Sequence, residues 1–157
     1  MRQYWLMKSE PDEVSIDDAL AAPKRTISWF GVRNYQARNF MRDQMKVDDG
    51  VLFYHSSCAV PGIAGIARIA SAPYPDKTQF DKRSPYFDPK ATKDAPRWIA
   101  IDVEALKAHA VITLSDLKAE PALANMRVLA RGNRLSITPV SPDEFRIITT
   151  RLAKDLR

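Results

Sequence analysis

The chain has 157 residues, of which 45% are hydrophobic and 27% charged; it fits one domain with a core of its own and lacks the low-hydrophobicity signature of a disordered chain. No apolar run approaches the roughly 18–20 residues of a membrane span, and the opening residues Met1 to Trp5 carry no signal-like apolar stretch, so a soluble, cytosolic protein is expected. Cys58 is the only cysteine, which excludes an intrachain disulfide and a cysteine-rich zinc site. A net charge of +5 hints at a polyanionic partner. The excess is uneven: seven Lys/Arg face three Asp/Glu from Arg127 onward, and the two signs nearly balance before it.

A first strand is predicted over Gln3 to Lys8. A brief helix follows, capped by Ser15, with Asp17 and Asp18 in its favourable first turn and Pro23 closing it. Thr26 to Trp29 reads as a short strand. Asn34 is a good N-cap for a helix to about Met45, because Ala37, Phe40, Met41 and Met45 recur at helical spacing; Arg38, Arg42 and Lys46 then form an exposed basic stripe. Gly50 to Ser56 and Ile63 to Ala72 read as buried strands, with Gly65 placed for a bulge or a close backbone approach.

From Ala72 to Pro96 the chain is polar and proline-punctuated, too long for a plain connector, with Tyr74, Phe80, Tyr86 and Phe87 available to pin it down. Trp98 to Leu106 alternates as a strand. Short helices are predicted around Ser115 to Ala119 and Pro121 to Asn125, and a last strand over Leu135 to Thr138. Ser141-Pro142-Asp143-Glu144 combines an N-cap, an N1 proline and a capping-box glutamate ahead of a terminal helix. Short strands with interspersed helices and no βαβ rhythm indicate an α+β domain around a small curved sheet or barrel.

Five segments occur in order along the chain: Tyr4-Trp5-Leu6-Met7-Lys8-Ser9-Glu10-Pro11, the run Trp29 to Asn39, Phe53-Tyr54-His55-Ser56, Pro61-Gly62-Ile63, and Gly132-Asn133-Arg134-Leu135-Ser136. Together they closely resemble the EVE domain family of the PUA-like superfamily, over essentially the whole chain, as a single domain of residues 1–157. The resemblance implies a PUA-like small curved β-barrel with short flanking helices. It also implies a non-catalytic reader of modified nucleobases such as 5-methylcytosine, with DNA or RNA as partner. Localisation would be cytoplasmic in a bacterium and nuclear in a eukaryote. The chain departs from the family at Phe30, where a polar residue is usual between the tryptophan and the glycine, which bears on base preference.

Holding an extruded base requires aromatic faces and a few polar groups aimed at its edge. Trp29, Tyr54 and Trp98 are the candidate faces. Ser9, Asn34, Ser56 and Ser136 are the edge candidates, since hydroxyls and amides both donate and accept. Lys8 and Arg33 could reach a phosphate or a ring oxygen. Arg134, beside the turn-forming Gly132-Asn133 pair, and the stripe Arg38, Arg42 and Lys46 are the candidate phosphate contacts.

No P-loop, G-x-G-x-x-G element or metal-ligand spacing is visible, so neither cofactor nor metal is expected. His55 and Ser56 are neighbours in a predicted strand and point to opposite faces, which argues against a nucleophile-and-base pair; Cys58 and His109 have no evident partner. The competing classes are a small hydrolase acting on a modified nucleoside and a small-molecule or protein-binding module. A monomer is the default.

Overall fold

The computed structural model describes residues 2–153. The elements in chain order are β1 (Tyr4–Ser9), α1 (Ile16–Ala21), β2 (Thr26–Trp29), α2 (Tyr35–Asn39), β3 (Gly50–His55), β4 (Gly62–Ile69), β5 (Tyr74–Pro75), β6 (Ile99–Thr113), α3 (Leu114–Lys118), β7 (Ile137–Val140) and α4 (Pro142–Ile147). The seven strands form one mixed sheet in the order β2-β6-β4-β3-β1-β7, with β5 paired to β6 off this path. Only β1 and β3 run parallel, Tyr4 facing Gly50 and Ser9 facing His55; the other pairings are antiparallel. This is the α+β architecture expected of the sequence.

Both faces of the sheet are covered, which explains why β3 is apolar along most of its length. Trp5 and Met7 of β1 join Val51 and Phe53 of β3 in one core with Ile16, Ala37, Phe40 and Met41. The alternate residues Leu6, Leu52 and Tyr54 join a second core with Leu117, Leu123, Ile147 and Ile148. A strand with period-2 side chains and two apolar faces therefore holds two helical layers at once. The buried Asp49 ties the start of the sheet together, accepting from Gln3 N, Lys46 N and the indole Nε1 of Trp5 at 3.0–3.1 Å.

Local chemistry sets most helix starts. Ser15 and Ser141 each form a reciprocal capping box, with Asp18 and Glu144 respectively, and Thr113 does the same with Asp116. Asn34 caps α2 through its Oδ1, which accepts from Ala37 N at 3.0 Å. The predicted helix to Met45 is present, but its second half, Phe40–Gln44, widens to a π turn in which Met45 N reaches Phe40 O. Strand β6 runs to Thr113, beyond the predicted Leu106, because register shifts against β4 at Ile63/Gly65 and Ile66/Ala67 interrupt its alternation. Gly65 lies in that bulge; a Cβ there would come within 2.5 Å of Ile16 Cγ1 and Lys107 O. Leu135 lies outside the last strand, which starts at Ile137.

His55 is committed to the fold. Its Nε2 accepts from Ile16 N at 3.0 Å, which requires the neutral ring, and burial lowers its pKa below 6.5, only partly offset by Asp17 and Asp18. A histidine whose folded pKa lies below its unfolded value stabilises the fold above the unfolded value and loses that contribution as pH falls through the folded one. His55→Gln, whose amide oxygen still accepts from Ile16, is therefore expected to flatten the loss of stability between about pH 7.5 and 5. Denaturant unfolding of both proteins across that range is the measurement, and parallel pH profiles would contradict the assignment.

Candidate functional site

A cavity of about 680 Å³ opens where the end of β1, the β2–α2 turn and the segments 56–57, 84–86 and 134–136 converge. That volume lies within the roughly 300–1,000 Å³ range of small-molecule sites. Its aromatic lining is Trp29, Phe30 and Tyr86. Its polar lining includes Lys8, Ser9, Asn34, Ser56, Arg134 and Ser136, with Glu10 and Glu13 from the turn after β1.

One buried carboxylate organises the rim. Asp76 is fully buried and accepts from Gly31 N at 2.8 Å, from Arg33 Nη1 at 3.0 Å, and from both the backbone N–H and the hydroxyl of Thr78. Burial raises its pKa, but these hydrogen bonds outweigh it and hold the group below the ordinary 3.8. Arg33 is spent in the same node: its guanidinium also donates to Val32 O, twice to Tyr86 O and to Thr78 Oγ1. All five of its N–H donors are thereby used. The turn so fixed carries Gly31 at φ +86°, with the Tyr86 ring packed against it. Tyr86 then crosses to the other rim, donating its hydroxyl to Glu13 Oε1 at 2.7 Å; burial and this carboxylate push its pKa up to about 12, so the bond is intact at neutral pH.

The polar groups differ in what they leave free. Ser9 Oγ donates to Val14 O at 2.7 Å, which leaves its lone pairs facing the cavity as acceptors. Asn34 spends its Oδ1 on the helix cap, so its Nδ2 remains a donor. The hydroxyls of Ser56 and Ser136 have no protein partner among the described residues and can act either way. Lys8 has no carboxylate partner among the described residues; its Nζ lies 5.6 Å from the Tyr54 ring centroid, and burial lowers its pKa.

Residues 3–151 match the EVE domain. The chain belongs to the EVE domain family. Human thymocyte nuclear protein 1 is 42% identical over 173 residues, covering 99% of this chain and 76% of the human protein. Among solved structures, a protein from Pseudomonas putida aligns with a TM-score of 0.88 at 49% identity, covering 93% of this chain and 97% of that one. The human THYN1 protein in complex with 5-methylcytosine-containing DNA aligns with a TM-score of 0.84 at 44% identity, covering 93% and 95%. No helix among the described residues is long and apolar enough to cross a membrane.

In this EVE domain the fold brings Lys8, Ser9, Trp29, Arg33, Asn34, Ser56, Arg134 and Ser136 to one cavity. Other expected site residues fall elsewhere. Tyr54 is buried in the second core and outside the lining, although Lys8, its register partner on the same sheet face, reaches the cavity. Trp98 donates its Nε1 to Asp88 at 2.7 Å and stacks on Tyr35 at 4.8 Å, with Arg33 5.3 Å from its ring. Arg38 lies over Tyr35 and donates to Arg97 O and Asn39 Oδ1; Arg42 pairs with Asp43. Lys46 is exposed beyond the end of the π turn and outside the lining. Sequence reasoning tied Phe30 to base preference without placing it as a wall, and gave Tyr86 only the task of pinning the long segment. The available signal for Tyr86 was Gly31 in the turn, since a positive φ there lets an aromatic ring pack on bare backbone.

Gly31→Ala tests this rim. The left-handed conformation costs a non-glycine residue about 1–2 kcal/mol, and the new Cβ would lie 2.9–3.0 Å from Tyr86 ring atoms. Reduced stability in urea melts together with weakened ligand binding is expected; wild-type values for both would show that the Tyr86 contact is dispensable.

Proposed function

We propose that this chain is a non-catalytic nucleic-acid reader that holds one flipped, modified base of the 5-methylcytosine type in the cavity beside Trp29. The observation that carries this reading is the lining itself: three aromatic side chains and a set of neutral polar groups with defined free donors and acceptors, in a family member whose human relative was solved with 5-methylcytosine-containing DNA. A cytosine presents its N4 amino group as donor and its ring nitrogen and O2 as acceptors. Ser9 supplies a fixed acceptor, Asn34 Nδ2 and Lys8 supply donors, and Ser56 and Ser136 adapt to either. Trp29, Phe30 and Tyr86 supply the apolar wall against which a methyl group gains contact.

The energies are compatible. Extruding a base costs a few kcal/mol, and stacking on aromatic side chains returns roughly 1–3 kcal/mol per base, with phosphate contacts adding to it. Arg134, exposed and lining the cavity, is the phosphate contact in this reading; Arg33 acts instead as a brace of the rim. What favours a reader over a hydrolase is the placement of the two candidates for base and nucleophile, His55 and Cys58: His55 Nε2 is engaged by Ile16, and neither residue lines the cavity.

The test is a titration of labelled oligonucleotides carrying cytosine, 5-methylcytosine or 5-hydroxymethylcytosine. Trp29 is only 7% exposed and packs edge-on against Phe53, so its removal also damages the core. Ser136→Ala is the cleaner probe. Loss of one hydrogen bond of about 0.5–1.5 kcal/mol predicts roughly 2- to 12-fold weaker binding of the preferred strand, with unfolding unchanged. Equal binding of all three strands by the wild type would sink the modified-cytosine reading.

A further inference from the structure

Most arginines elsewhere on the surface are occupied; exposed Arg25 and Arg83 also have no side-chain partner among the described residues, but each is the one such arginine in its segment. Arg42 pairs with Asp43, Arg68 with Asp48 and Glu104, Arg146 with Asp143 and Arg151 with Glu120, while Arg33 and Arg38 are held by backbone and side-chain acceptors. The segment from Arg127 to Arg134 differs. Arg127, Arg131 and Arg134 are all exposed, and none has a hydrogen-bond, ion-pair or ring partner among the described residues. The segment contains no carboxylate.

The same segment is folded tightly onto itself. Asn133 Nδ2 donates to Arg127 O at 2.8 Å, Asn133 N donates to Ala130 O at 3.1 Å, and Asn133 Oδ1 accepts from Leu135 N. Gly132 takes φ +79° at the turn, in open space. Asn133 thus joins the start of the segment to its end, so Arg127 and Arg131 sit on one short turn that delivers Arg134 and Ser136 into the cavity lining. Three unsatisfied guanidiniums on a preformed turn beside a base-sized cavity fit a run of phosphodiesters, which guanidinium groups bind through paired N–H donors.

We propose that the 127–134 turn is the track along which the phosphodiester backbone leaves the cavity, Arg134 holding the phosphate nearest the bound base and Arg131 and Arg127 those beyond it. This rests on the nucleic-acid reading above. The exit direction follows from charge: the turn after β1 contributes Glu10 and Glu13 to the lining, and carboxylates repel a polyanion from that side. The α2 stripe is excluded as the track because Arg38 and Arg42 are already engaged.

The test uses a fluorescein-labelled 12-mer duplex with one central 5-methylcytosine and its unmodified counterpart, titrated from about 50 to 200 mM salt. Each phosphate neutralised contributes about −0.9 to the slope of log K against log salt. The Arg127→Gln/Arg131→Gln double variant is expected to make the slope shallower by roughly 2, with the methylated-to-unmethylated affinity ratio and the thermal unfolding unchanged. Arg42→Gln, also exposed but paired, is expected to leave the slope as in wild type. An unchanged slope in the double variant, or an equal per-charge loss in Arg42→Gln, would overturn the track. The base-reading hypothesis fails separately, through a wild-type affinity ratio of one.

Discussion

A carboxylate taken out of water must be met by donors, and the walls of the cavity follow from how this chain meets that demand at Asp76. Burial of an unpaired charge costs several kcal/mol even after relaxation. Here four hydrogen bonds converge on it, two of them from the turn after β2, through Gly31 N and Arg33. Asp76 belongs to the long segment between β5 and β6, so satisfying it joins that segment to the turn. The Tyr86 carbonyl accepts from the same Arg33, and the Tyr86 ring rests on Gly31. Two irregular stretches thereby become one rim.

The long segment itself is held without strand pairing over most of its length. Gln79, fully buried, donates from its Nε2 to Asp76 O and Trp98 O and accepts through its Oε1 from Arg97 N and Trp98 N. One amide side chain thus does for four backbone groups what a neighbouring strand would otherwise do. Trp98 is held at both ends, by these bonds and by Asp88 at its indole nitrogen, and its ring sits between Tyr35 and Arg33. Trp98, expected from the sequence to face a base, lies outside the cavity lining and anchors this segment.

What the sequence made legible was chemistry confined to neighbouring residues. Ser15, Asn34 and Ser141 act as caps because each side chain reaches an N–H three residues ahead, and β2 is bounded by Thr26 and Trp29 as the pattern implies. Motifs spread over five segments did bring Lys8, Ser9, Trp29, Asn34, Ser56 and Ser136 to one cavity. Partnerships at long separation were not legible. The spacing of Arg38 and Arg42 describes a basic stripe, yet whether a guanidinium is available depends on Arg97 O, Asn39 and Asp43. That Tyr54 lies outside the lining was not legible for a related reason: with both sheet faces covered, an apolar strand gives no sign of how deeply each of its aromatics is buried.

On the proposed reading, the distribution of hydrogen-bonding commitments is what gives the cavity its discriminating power. A serine with no commitments accepts any edge and therefore selects weakly, whereas Ser9, having given its proton to Val14, can only accept, and Asn34, with its Oδ1 turned to Ala37 N, offers its Nδ2 as a donor. Wrong partners then leave a polar group unpaired, which costs more than a correct partner gains. Lys8 sharpens this further, since a half-buried ammonium over Tyr54, with no ion-pair partner among the described residues, is stabilised by an acceptor in the cavity and destabilised by a donor. On the proposed reading, selectivity comes from donors and acceptors already oriented by the fold, while Arg127 and Arg131, which lie outside the lining, carry no information about the base.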